Sequence, residues 1–349
     1  MPVSSPARPF ATPADCAACR QSIRQGSKSF YLASLLMPAA AREPAYAVYA
    51  FCRMADDMVD GGGSGPEAIA EIRRALDHIY ARRPADSFVE RAFADVVRDF
   101  AIPRAIPDAM VEGLEWDVEG RSYETLSDLV GYAMRVAGTV GVMMTLVMGR
   151  REPEVLARAC DLGVAMQLTN ICRDVGEDAR NGRIYLPLSQ LRTAGLSPVE
   201  IGVMKRSTPA LRAVIVDLLG EAERLYGQAR PGIGALPAGS RTGIAAARLL
   251  YREIGRLICE GIDPLRERAV VAKGRKLALL GRAAAQPHSV QDGLGGPALA
   301  EARFLIDAVV RSRRTVWHDP LPQWWNVQAR TTRMIELLAR FERRSTAAG

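Results

Sequence analysis

Several of the usual catalytic groups are scarce in this sequence. Its three histidines, His78, His288 and His318, stand outside every motif, so neither Ser-His-Asp nor Cys-His nucleophile chemistry is indicated. No G-x-G-x-x-G loop is present, which removes the common dinucleotide-binding fingerprint. Aromatic residues make up 6% of the chain and strand-like alternation is rare, which argues against a β-rich fold. The six cysteines contain one C-x-x-C, Cys16 and Cys19, with no second pair at zinc-ribbon spacing, so free thiols in a reducing compartment are expected. The most apolar stretch, 136–148, is interrupted by glycines and is too short to span a membrane. The first residues are rich in Pro, Ser and Ala without an apolar run, so no secretory signal is expected. The expected location is cytoplasmic, with a peripheral position on the inner membrane surface as a further option. Net charge is +7, yet no RNA- or DNA-binding motif accompanies it, so nucleic acid is not an expected partner.

What the sequence has in quantity is helix-forming residues. With 349 residues, the chain can form one large domain or two ordinary ones, with room for an internal cavity. Between Cys16 and about Ala285, Ala, Leu and Arg dominate and apolar residues recur every three or four positions, as in Ala45, Val48, Tyr49 and Cys52. Helix stops are expected at Gly61–Gly63, Gly149, Gly182 and between Pro231 and Gly239. The domain reading is a flexible N-terminus (1–15), one all-α catalytic domain (16–285), a Pro/Gly-containing linker (286–298) and a basic helical extension (299–349). The extension carries nine arginines against five acids. It is read as a helix from Leu299 to about Thr315, a loop with Trp317, Trp324 and Trp325, and an amphipathic helix over 327–344. Interfacial tryptophans and a basic helix suit a membrane surface; packing back on the core is the competing reading.

Two acidic motifs stand out. Asp56-Asp57-Met58-Val59-Asp60 and Asp174-Val175-Gly176-Glu177-Asp178 each contain Asp-x-x-x-Asp, 118 positions apart. On a helix, i and i+4 share a face, so Asp56 and Asp60 project together, as do Asp174 and Asp178. Paired like charges disfavour the helix unless a cation lies between them, and Mg²⁺ is typically held by one or two carboxylates together with substrate phosphates. A solvated helix face is the ordinary explanation of one such spacing. It fits poorly here, because both motifs sit in apolar helices that also carry Arg53, Gln167, Asn170 and Arg173.

The strings Tyr46–Asp60 (YAVYAFCRMADDMVD) and Gln167–Pro187 (QLTNICRDVGEDARNGRIYLP) resemble the two signatures of the squalene/phytoene synthase family. Gly26–Tyr31 resembles its N-terminal SxSF box, Tyr132–Gly141 its Y-x-x-x-VAGTVG segment, and Tyr251–Leu280 its closing helices, in the family's order. The resemblance implies a single all-α isoprenoid-synthase helical bundle with a central cavity. It implies a prenyltransferase of carotenoid and isoprenoid biosynthesis, joining two geranylgeranyl diphosphates head to head through prephytoene diphosphate to phytoene. The neighbouring option is squalene or dehydrosqualene from two farnesyl diphosphates. An option of another class is a non-catalytic scaffold of the same fold, disfavoured by four intact aspartates. The implied cofactor is Mg²⁺, with Mn²⁺ as a substitute and no NADPH if the product is phytoene.

The same resemblance assigns Asp56, Asp60, Asp174 and Asp178 as metal ligands. Ser27, Ser29, Phe30, Arg53, Gln167, Asn170, Arg173, Arg183, Tyr251 and Arg268 become substrate-binding positions. Tyr49 and Tyr132 join the catalytic set, as cavity-lining aromatics facing a carbocation. Each has a structural alternative: helix N-capping by Ser29, ordinary ion pairing for Arg183 and Arg268, core packing for the aromatics and Phe30 above all. Gly138 and Gly141, with Ala137 and Thr139, read equally as a kink that clears space for a prenyl chain or as a close helix crossing.

Overall fold

The computed structural model describes residues 9–61, 65–285, 294 and 296–312. Every regular element among them is helical. The chain opens with α1 (Pro13–Gly26), α2 (Lys28–Ser34), α3 (Ala39–Asp60), α4 (Gly65–Tyr80) and α5 (Phe88–Asp99). α6 (Ala105–Val118) leads to α7 (Leu126–Ala133), which runs through a π turn at Met134–Gly138 into α8 (Thr139–Val147). α9 (Pro153–Arg180) precedes the short α10 (Leu188–Thr193) and α11 (Pro198–Val203). α12 (Pro209–Ala235), α13 (Ala238–Cys259) and α14 (Lys273–Ala285) complete the main bundle, and a 3₁₀ turn at Ala300–Ala302 starts α15 (Arg303–Arg311).

The helix starts follow local chemistry. Thr12, Thr125 and Ser197 each form a reciprocal capping box with the acid three residues on, Asp15, Asp128 and Glu200, satisfying otherwise orphaned N–H groups. Gly149 and Gly182, both expected stops, hold positive φ just beyond α8 and α9, where a left-handed residue ends a helix without Cβ strain. The stop expected between Pro231 and Gly239 falls at Ala235, and α12 passes through Pro231 before it ends. A proline crowds the carbonyl four residues earlier, and residue 227 is a glycine that carries no side chain to add to the crowding.

At the centre lies α9, packed along α12 and against α8, α13 and the π turn. Its crossing with the π turn and α8 is made by glycine. A Cβ on Gly163 would lie 2.5 Å from the Ala137 carbonyl oxygen, and one on Gly141 would lie 2.5 Å from that of Ala159. The backbones touch, which supports the packing reading of the small-residue segment. The kink reading holds as well, since the π turn is a real break and Ala137, Val140 and Gly141 also line a cavity. The helix Leu126–Val147 spans 22 residues with a mean hydropathy of 1.4, so it is long and apolar enough to cross a bilayer. That corrects the sequence-based expectation that no stretch qualifies. With 61% of its 18-residue apolar window buried inside the bundle, it serves as a core helix.

The first and last described segments make specific contacts with the bundle. Backbone N–H groups of Phe10 and Ala11 donate to the Asp95 carboxylate at 3.0 and 2.9 Å, and Arg91 forks onto buried Asp15 at 2.7 and 3.0 Å. The N-terminus is therefore anchored from Phe10 onward. Within the expected linker, the carbonyls of Leu294 and Pro297 accept hydrogen bonds from Arg158. α15 packs on α6 and α9 and ends at Arg311. Trp317, Trp324, Trp325 and the 327–344 segment lie outside the described residues.

Candidate active site

An almost wholly apolar cavity of about 300 Å³ runs beside α9. Val155, Arg158, Ala159, Leu162, Gly163, Met166, Gln167 and Asn170 contribute from that helix alone, at three- and four-residue spacing. At 1.5 Å per residue, Val155 to Asn170 spans about 22 Å. Asp174 lies one turn beyond Asn170 and Asp178 one turn further, so the cavity ends against the second acidic motif. On the opposite side, Tyr49 and Cys52 of α3 line the cavity, and Asp56 and Asp60 follow on the next turns.

The two motifs are linked through Arg183. Its guanidinium donates to Asp60 at 3.0 Å from the turn that follows Asp178. Asp174 is held by two arginines: Arg173 at 2.9 and 2.5 Å, and Arg268 at 2.9 and 3.2 Å. A glycine inside the second motif makes the latter contact possible. A Cβ at Gly176 would lie 2.7 Å from the Pro264 carbonyl oxygen and 2.8 Å from the Leu265 Cα. The 264–268 segment thus rests on α9, carrying Arg268 to Asp174. Arg53 pairs with Asp57, at 2.6 Å, and not with Asp56.

Charge in this cleft is poorly compensated. Burial, then the neighbouring Asp174 and Glu177, push Asp178 up to about 7. Burial and Asp60 raise Asp56. A third carboxylate joins them from α6: burial lifts Asp117 to about 6, although Tyr132 and Tyr185 both donate to it at 2.8 Å. Its charge is felt by Asp178, and it feels that of Asp56, so it belongs to the same electrostatic neighbourhood as both motifs. Asp117 and Tyr185 escaped the sequence reading. Asp117 sits among Glu112, Glu115 and Glu119, so nothing local distinguishes it, and its tyrosine partners are 15 and 68 positions away.

The remaining expected residues are placed as follows. Ser27, and not Ser29, caps α2, accepting from the Phe30 N–H at 3.3 Å; Ser29 lies in the first turn. Phe30 lines the cavity and stacks on Tyr251, with centroids 4.9 Å apart. Tyr49 also lines it, and burial raises its hydroxyl pKa. Tyr132 is not among the lining residues. It is buried, stacks with Tyr185 at 5.2 Å, meets Tyr123 in a tilted pair at 5.1 Å, and directs its hydroxyl to Asp117. Asn170 donates to Gln167 at 3.4 Å, while its own carbonyl oxygen is buried without a partner.

These observations fit a divalent cation. Asp56, Asp117 and Asp178, with raised pKa values, are linked in charge through Asp117, and an orphaned amide oxygen lies one helical turn before Asp174; oxygen donors are what Mg²⁺ selects. Among the described residues, no three carboxylate, imidazole or thiol groups stand close enough together to form a complete ligand set. The donor set suits a metal shared with substrate oxygens, as is usual for Mg²⁺ and phosphates.

Comparison with known proteins agrees with this geometry. Residues 23–275 match the squalene/phytoene synthase family model; residues 294–312 lie beyond that match. A phytoene synthase of Cereibacter sphaeroides is 43% identical over 94% of both chains. One from Thermus thermophilus is 41% identical over 77% of this chain and 92% of its own. Among solved structures, a dehydrosqualene synthase superposes with a TM-score of 0.72 at 32% identity, covering 78% of this chain and 96% of that one.

Proposed function

Because the chain belongs to the squalene/phytoene synthase family, we propose that it is the prenyltransferase that condenses two geranylgeranyl diphosphates head to head, through prephytoene diphosphate, to phytoene. One observation carries this reading: an apolar cavity about 22 Å long along α9 ends against two acidic motifs bridged by Arg183. The bacterial relatives that span most of the chain bear the phytoene synthase name.

In this reading Asp56, Asp60, Asp174 and Asp178 hold Mg²⁺, with the Asn170 oxygen beside them. Bound there, Mg²⁺ would neutralise the diphosphate leaving group and so favour C–O ionisation. Arg53, Arg173, Arg183 and Arg268 are at hand for phosphate oxygens, which guanidinium binds bidentately. Two of them now neutralise Asp174 and would turn to the diphosphate when a metal takes their place. Ser27 and Ser29 at the start of α2 add hydroxyls on the same rim. The cavity excludes water from the allylic cation, and the faces of Phe30 and Tyr49 stabilise it.

The second substrate attacks through its C2=C3 double bond. One diphosphate leaves and one proton is lost as the cyclopropane closes. The second diphosphate then leaves, the skeleton rearranges and a second proton is lost, so no reductant is consumed. Asp117, with a pKa near neutrality and two tyrosine hydroxyls on it, is suited to accept a proton, and Tyr132 acts through it. Peripheral attachment to a membrane is part of the proposal on sequence grounds alone, from the basic tryptophan-bearing tail and the lipophilic product.

The test is direct. Purified protein is incubated with Mg²⁺ and farnesyl or geranylgeranyl diphosphate, with and without NADPH, and the hydrocarbon is identified. Phytoene without NADPH is expected; squalene or dehydrosqualene would replace this reading. Asp56→Ala and Asp174→Ala should abolish product while circular dichroism stays helical, and near-parental turnover by either would remove the metal-site assignment.

A further inference from the structure

The far end of the cavity is built unlike the rest. Met37, Met148, Val155 and Leu236 are buried there, and each lines the cavity. They also form a small apolar cluster of their own, and the side chain packed onto it from the C-terminal segment is Leu294. The cluster is thus a wall with the cavity on one side and Leu294 as backing.

Leu294 is held by an unusual device. Arg158 lines the same end of the cavity, and its side chain is 1% exposed. Nη1 donates to the Leu294 carbonyl at 3.1 Å and Nη2 to the Pro297 carbonyl at 3.2 Å. Its Nε stands 2.9 Å from the carboxylate of Asp161, which is fully buried one turn further along α9. A buried ion pair is costly to desolvate and often adds little stability over an apolar pair. Placed here, the cation's two outer nitrogens reach two carbonyls that α9 could not otherwise contact.

We propose that Leu294, held with Pro297 by Arg158, backs the end wall of the prenyl cavity and so limits the length of chain the enzyme accepts. Leu294 and Arg158 are then determinants of substrate length that act 16 positions along α9 from Asp174, away from the chemistry. The inference rests on the proposed function for the identity of the substrate; the wall itself does not depend on it.

Two variants test it. Leu294→Gly removes the backing side chain at a half-buried position. Arg158→Met combined with Asp161→Leu removes the clamp without stranding a buried carboxylate. In each, kcat/KM is measured for C15, C20 and C25 prenyl diphosphates, and binding is measured for a graded series of n-alkyl bisphosphonates. The C25/C20 ratio should rise about tenfold, in the range a pocket wall imposes per added apolar group, and the tail length giving tightest binding should lengthen. Hydrogen exchange over 296–312 should quicken in the double variant. A C25/C20 ratio and a bisphosphonate optimum both unchanged in Leu294→Gly would overturn the proposal, whatever the fate of the double variant. Failure of the parent to turn over C20 substrate would count against the proposed function instead, since the bisphosphonate series reads the wall without turnover.

Discussion

Replacing Asp117 by asparagine should flatten part of the protein's dependence of stability on pH. Burial raises this carboxyl from 3.8 to about 6, against the opposing effect of the Tyr132 and Tyr185 hydroxyls. The folded protein therefore holds the proton more tightly than the unfolded chain does. The stabilisation is fully present below the unfolded pKa and is lost as pH rises through the folded one, that is, between about pH 4 and pH 6. A shift of roughly two units corresponds to about 3 kcal/mol, which is a ceiling because the cleft is partly open to water. Asparagine keeps an acceptor for one tyrosine and a donor for the other, so the variant should fold. Denaturant unfolding of parent and Asp117→Asn at half-unit pH steps gives the difference that Asp117 makes, its coupling to Asp56 and Asp178 included. The parent should lose stability relative to the variant by roughly 1–3 kcal/mol across that window and by nothing further above pH 7. A flat difference, or a parent that gains stability relative to the variant as pH rises, would refute the assignment.

Two glycines offer sharper structural tests. Gly176→Ala should lift the 264–268 segment from α9 and lower turnover about as much as Arg268→Ala, with α9 helicity retained; near-parental turnover would show that the segment's seat on α9 is dispensable. Gly163→Ala should cost about 1–3 kcal/mol, as overpacked sites do, since its methyl would meet the Ala137 carbonyl. Gly131→Ala, with nothing near the added carbon, is the control in the same denaturant assay.

Much of this was legible in the sequence where chemistry is local. Helical periodicity, the capping residues and the two Asp-x-x-x-Asp faces follow from spacing, and the family strings order them. Contacts made by chain segments distant in sequence were not legible. Asp117 looks like any acid on α6 until two tyrosines from other elements fall on it. Tyr132 reads as a cavity aromatic because its motif is apolar, yet its hydroxyl needed a buried acceptor and found one. Ser29 reads as the capping residue, but α2 begins at Lys28 and Ser27 takes the role. The stop read between Pro231 and Gly239 is real, and within it the packing of α12 along α9 carries the helix past Pro231 to Ala235.

α9 bears the Arg158 clamp near its first turns and Asp174 and Asp178 near its last. Because both fixtures belong to one uninterrupted rod, their separation, about 24 Å from residue 158 to residue 174, is set by peptide geometry and not by the docking of two bodies. The helix works as a ruler whose graduations are residues. Temperature, loop motion or loosening of the outer helices would leave its calibration intact, whereas splicing in one extra turn would move the two marks apart by about 5.4 Å.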